Sequence, residues 1–174
     1  FLSDSDGVVA VDLAGAEALF PTSDYEKLFA HARAEGIPFT IHAGEAAGPE
    51  SIRQAVDYGT ARIGHGVNCI HDKNLMNIIA EKGITLELCP TSNLNTKIVN
   101  DIKDYPIDKI INNKIKVTIN TDNMTVSGTD EASEMKLICD TFGYDGNMRR
   151  IFVDNAIDAA FLSNEMKEKL RGNL

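Results

Sequence analysis

Four side chains in this sequence could together activate a water molecule. They are the imidazole of His42, the carboxyl of Glu45 three residues on, the imidazole of His65 between Gly64 and Gly66, and the carboxylate of Asp122 within Asn120-Thr121-Asp122-Asn123. An imidazole nitrogen and a carboxylate oxygen are ordinary ligands of a divalent cation. A second imidazole with a carboxylic acid can move protons. Each residue also has a plainer reading. A lone histidine more often packs than binds, His65 could simply fit between its glycines, and Asp122 could cap a helix or a turn. Position favours chemistry, because each lies at the end of an apolar run of strand length.

Five such runs occur, at residues 8–13, 38–41, 61–64, 84–88 and 115–119. The first two read as strands buried on both faces, as in parallel sheets. Helical segments lie between them. Residues 23–35 are bracketed by Thr22, Ser23 and Asp24 at the start and Gly36 past the end; residues 49–58 open on Pro49 and stop at Gly59; Asp72 caps 73–82 and Gly83 follows; a shorter helix covers 108–113. Proline and capping side chains at the start with glycine after the end are the expected helix punctuation. Residues 130–141, 148–160 and 163–171 also read as helical. Strands alternating with helices give an α/β fold with a parallel sheet. Five units are too few for a closed (β/α)₈ barrel of about 250 residues. The pattern alone fits an open doubly wound sheet or most of a barrel. In either, catalytic groups gather at the C-terminal ends of the strands.

The 174 residues form one expected domain, 1–174, with a net charge of −9. An acidic surface repels phosphate backbones, which argues against nucleic acid as a partner, and no apolar run is long enough for a membrane span. The start, Phe1-Leu2-Ser3-Asp4, has no basic region, apolar stretch or initiator Met, so it is not a signal peptide and suggests that something upstream is absent. Cys69, Cys89 and Cys139 are odd in number and scattered, which fits reduced thiols in the cytoplasm. Cys89 reads as an apolar filler, Ser92 and Asn93 as hydrogen-bonders that stabilise a loop, and His31 and His71 as surface residues.

His42-Ala43-Gly44-Glu45, Gly64-His65-Gly66, Cys89-Pro90-Thr91-Ser92-Asn93 and Asn120-Thr121-Asp122, in this order, resemble the motifs of adenosine deaminases in the metal-dependent amidohydrolase superfamily. Val11-Asp12-Leu13-Ala14-Gly15-Ala16-Glu17 resembles the family's preceding motif. The likeness spans residues 8–123, and four or five weak motifs at successive strand ends are together specific.

The resemblance implies hydrolytic deamination of adenosine and 2′-deoxyadenosine to inosine and ammonia. It implies Zn2+ held by His42 and Asp122, with His65 orienting and deprotonating the attacking water and Glu45 protonating purine N1. Glu45 must start protonated, so its pKa is expected to be raised by burial. Gly15 is expected to offer its N–H to purine N3. Asn123 stands where well-known members carry a second Asp against N7, and an amide can donate there as well.

The family's first strand carries a His-x-His pair that supplies two more zinc ligands, and this chain has none. The implied fold is therefore a partial TIM-type (β/α) barrel of about five parallel strands, starting near the family's fourth strand with the N-terminal strands missing. Alone, such a piece is expected to bind zinc weakly, to be inactive, and to expose two sheet edges. Its partner would be the missing N-terminal part or a second copy. Rival readings are a deaminase of adenine, an N6-substituted adenosine or a nucleotide, or a non-catalytic barrel piece. The H-x-E and P-C-x-x-C motifs of nucleic-acid base deaminases are absent.

Overall fold

A computed structural model of the chain describes residues 7–173; the reading of Phe1-Leu2-Ser3-Asp4 lies outside the described residues. Five strands, β1 (Val11–Leu13), β2 (Phe39–Ala43), β3 (Arg62–His65), β4 (Thr85–Leu88) and β5 (Lys116–Ile119), form one sheet in the order β1-β2-β3-β4-β5. Every neighbouring pair is parallel. A doubly wound sheet reverses its strand order at a switch point. The unbroken sequential order is that of a barrel wall, so the structure selects between the two architectures the sequence left open.

The helices are α1 (Glu26–Ala34), α2 (Pro49–Tyr58), α3 (Lys73–Lys82), α4 (Pro90–Asn95), α5 (Ile107–Asn112), α6 (Met124–Ser127), α7 (Glu131–Phe142), α8 (Gly146–Ala159) and α9 (Asn164–Arg171). Their punctuation works as the sequence suggests. Asp72 accepts the N–H of Leu75 to start α3, and Gly83 ends it in the left-handed region. Pro49 opens α2 and Gly59 closes it likewise.

Three elements depart from expectation. The helix expected at 23–35 is a 3-10 turn, Thr22–Tyr25, followed by α1. The strand expected at 8–13 pairs only over Val11–Leu13, because β1 has a neighbour on one side among the described residues and Val8 and Val9 stay 39% and 53% exposed. The stretch after β4, expected as a loop, is the short helix α4.

Register explains how the sheet sorts its side chains. The row Ile41, Ile63, Leu86 and Val117 is buried under the helices, and these residues anchor the core with Ile52, Leu75, Ile79 and Phe152. The alternate row carries His42, Gly64 and Glu87 toward the opposite face. One face of the sheet thus supplies burial and the other is left for polar groups.

Candidate active site

His65 occupies the same register row as Ala43, one residue past Gly64 in the strand's alternation. Simple alternation would send its side chain to the helix-covered face. Its φ of 60° breaks that alternation, and its ring centroid lies 4.4 Å from that of His42. Asp122 also has a positive φ, 55°. A non-glycine residue held in the left-handed region costs about 1 kcal/mol or more. Two such residues at the tips of β3 and beyond β5 are thus aimed at the cost of backbone strain.

His42, Glu45 and His65 each bring a potential ligand atom within 4.8 Å of one another. His42 Nε2 is 3.2 Å from Glu45 Oε2, and His65 Nδ1 is 3.7 Å from Glu45 Oε1. The first contact has the distance of an ion pair without hydrogen-bond alignment. His42 Nε2 is thus a buried nitrogen with no aligned partner among the described residues, as a lone pair meant for a metal would be. Asp122 stands outside this trio but lines the same cavity of about 230 Å³ as His42, His65, Asp12 and Glu87. Its Oδ2 accepts a 2.7 Å hydrogen bond from Ser92. The donor set suits zinc: one unpartnered imidazole nitrogen, a carboxylate oriented by a hydroxyl, and further imidazole and carboxyl groups alongside.

Gly15 lines a second cavity with Ala14, Glu17 and Phe20, and His42 borders both cavities. Asn123 lines neither. Its Oδ1 accepts the N–H of Val126 at 3.0 Å and caps α6, so in this arrangement the side chain serves the helix. His31 and His71 are exposed, as expected.

The sequence reading missed three participants. Asn93 does more than stabilise its loop: its Nδ2 donates to Glu45 Oε1 at 3.1 Å and lies 3.1 Å from His65 Nδ1. Ser92 likewise holds a site carboxylate. Glu17, quoted only as the end of a motif, is 6% exposed. It accepts the backbone N–H groups of Gly44, Glu45, Ala46 and Ala47 and the hydroxyl of Ser51. The α4 turn that carries Ser92 and Asn93 is itself held by fully buried Glu134, which accepts the N–H of Thr91.

The electrostatics correct one expectation. Burial does push the Glu45 carboxyl up, but the close contact with His42, the charges of both imidazoles and the Thr96 hydroxyl outweigh it, so the pKa falls below its ordinary 4.5. Burial pulls His42 down, yet its contact with Glu45 and the nearby Glu17 and Asp122 charges leave it above 6.5. His65 is lowered, chiefly by burial. The close contact of the two side chains thus favours the charged form of each. Burial raises Cys69 to about 12 and also raises Cys89, which leaves both as inert buried thiols.

Residues 2–174 match the adenosine deaminase family. The chain is 46% identical over 168 residues to an adenosine deaminase of Haemophilus ducreyi, covering 97% of this chain and 49% of that protein. Among solved structures, an adenine deaminase from Arthrobacter aurescens superposes with a TM-score of 0.91 at 24% identity, over 97% of this chain and 52% of that one. An amidohydrolase from Burkholderia ambifaria with bound Zn gives 0.89 at 24% identity, over 98% and 48%. These two likenesses concern the fold. The chain spans about half the length of the curated relatives it matches.

Proposed function

The chain belongs to the adenosine deaminase family, and from that premise we propose that it carries the proton-transfer groups and part of the zinc site for hydrolysis of adenosine and 2′-deoxyadenosine to inosine and ammonia. His42 and Asp122 would hold the zinc, which when bound would supply a water of lowered pKa. Glu45 donates its proton to purine N1, and C6 becomes electrophilic. His65 orients the attacking water and takes its proton as the oxygen adds at C6. His65 returns that proton to the 6-amino group, the C6–N bond breaks with loss of ammonia, and the proton of the new hydroxyl passes back to Glu45 to leave the C6 carbonyl. Gly15 offers its N–H to purine N3 and Asn123 its amide N–H to N7; the cap on α6 occupies only the Asn123 Oδ1.

The observation that carries this reading is the unpartnered, buried Nε2 of His42 beside Glu45 and His65, in a cavity shared with Asp122. Two protein ligands fall short of the usual three. Among the described residues β1 and β5 each pair on one side only. We therefore assign the remaining ligands and strands to further polypeptide, either more of the same protein or a second copy, with residues 1–174 lying in one domain. Three buried free cysteines support a cytoplasmic location, and no helix among the described residues is long and apolar enough to cross a membrane.

The test is metal analysis and a kinetic panel of adenosine, 2′-deoxyadenosine, adenine and N6-methyladenosine on a full-length protein containing this chain and on residues 1–174 alone. Zinc and adenosine turnover in the former, with weak zinc binding and no turnover in the latter, is the expected result. Preference for adenine or an N6-substituted purine would reassign the substrate. Full activity of residues 1–174 would refute the division of ligands.

A further inference from the structure

We propose that Asn68 is a positioning residue: it clamps the turn that carries Glu45 to the turn that follows His65, and so fixes the group that serves purine N1 against the group that handles the attacking water. The proposal deepens the deaminase reading and rests on it for the roles of Glu45 and His65. Asn68 lies three residues after His65, in a 3-10 turn, Val67–His71, that starts where Gly66 takes a φ of 67°. Its side-chain nitrogen donates to the carbonyls of Glu45 and Ala47, each at 2.9 Å. Its backbone N–H donates to the carbonyl of Gly44 at 3.1 Å.

Both side-chain partners are carbonyl oxygens, which only accept. The amide must therefore turn its NH₂ group toward them, and its two hydrogens match the two acceptors. Glu17 takes the N–H groups of the same turn, residues 44–47. The turn is thus held by its donors from the loop after β1 and by its carbonyls from the loop after β3. The paired register of β2 and β3 ends at Ala43 and His65. Asn68 carries the join past that last pair, to the backbone of Glu45 itself. Misplacing a catalytic group by about 1 Å can cost roughly 100-fold in rate, so the tie matters to the reaction as well as to the fold. Asn68 touches the main chain of Glu45 and not its carboxyl, so it acts by placement alone.

The test uses a full-length protein containing this chain, with the variants Asn68→Ala and Asn68→Asp. Deamination of adenosine is compared with competitive inhibition by 1-deazaadenosine, which has a C–H in place of N1 and so offers Glu45 no acceptor. Asn68→Ala is expected to lower kcat/KM for adenosine roughly 10-fold, the scale of one or two net hydrogen bonds, and to change the inhibition constant of 1-deazaadenosine less than about twofold. Asn68→Asp keeps the size of the side chain but sets oxygen against both carbonyls, and is expected to lose more. A merely structural role would move both constants together. Hydrogen exchange in wild type needs neither a variant nor turnover. There the two Asn68 side-chain hydrogens are expected to exchange at least about tenfold more slowly than those of an exposed asparagine. An inactive wild type would sink the deaminase reading and leave the clamp to stand or fall on the exchange rates. Freely exchanging Asn68 hydrogens, an unchanged kcat/KM in Asn68→Ala, or equal changes in both constants would overturn the proposal.

Discussion

The Glu17 carboxylate accepts the backbone N–H of Gly44 at 2.6 Å and so ties the loop after β1 to the turn that carries Glu45. It fills a nest of main-chain donors as a bound anion would, taking the N–H groups of residues 44–47 and the Ser51 hydroxyl. Its backbone N–H in turn donates to the carbonyl of Gly15 at 2.9 Å. One buried acid therefore sets the relative placement of the residue proposed for purine N3 and the acid proposed for N1.

Glu17→Gln keeps the shape but turns an NH₂ group toward donors. Loss of about 2–3 kcal/mol of stability is expected, because bonds to a charged acceptor are the stronger kind and an unmet buried N–H is costly. Chemical denaturation of the two proteins measures it. The acid limb should also change. The bonds from Ser51, Ala47 and Gly44, with the charge of His42, outweigh burial and hold the Glu17 pKa below 4.5. That stability is present above 4.5 and is lost as pH falls through the lowered value. Wild type should lose stability there more steeply than Glu17→Gln, and parallel acid limbs would contradict the assignment.

Gly44 sits at φ 74°, and a Cβ built on it would lie 2.2 Å from Ile52 Cδ1. Ile52 is fully buried, so it has no free direction in which to move. Gly44→Ala is expected to cost about 2–4 kcal/mol, combining left-handed strain with overpacking. Thermal melting checks it, and Gly48→Ala, where a Cβ meets nothing within 4 Å, is the control that should change little.

Zinc binding should depend on pH through His42. Its pKa lies above 6.5 in the metal-free chain, since the contact with Glu45 outweighs burial. The metal must displace that proton. Apparent affinity is therefore expected to rise by about tenfold per pH unit below the raised value and to level off above it. Calorimetry in buffers of different ionisation enthalpy measures both the affinity and the proton released. A flat affinity across pH 6–8 would argue that His42 is no ligand.

Much of this was readable from residue order. Strand positions followed from short apolar runs, and α2 and α3 from Pro49, Asp72, Gly59 and Gly83, because those signals are local. His42, Glu45, His65 and Asp122 stood out as candidates because they follow the ends of apolar runs. Three features were not readable. The Glu17 bonds span 27 to 34 positions, and no local pattern encodes them. Asn93 looked like any polar loop residue until α4 turned it toward Glu45 and His65. The lowered Glu45 pKa depends on the balance of burial against two imidazoles, which only distances can decide.

The central claim, that Glu45 is the acid of a zinc deaminase centre built with His42, His65 and Asp122, is tested most directly by Glu45→Gln in a full-length protein, measuring zinc content and kcat for adenosine together. Zinc retained with kcat reduced by roughly 10²- to 10⁴-fold is the expected result, the scale of a lost general acid. Turnover at the wild-type rate with zinc in place would contradict it.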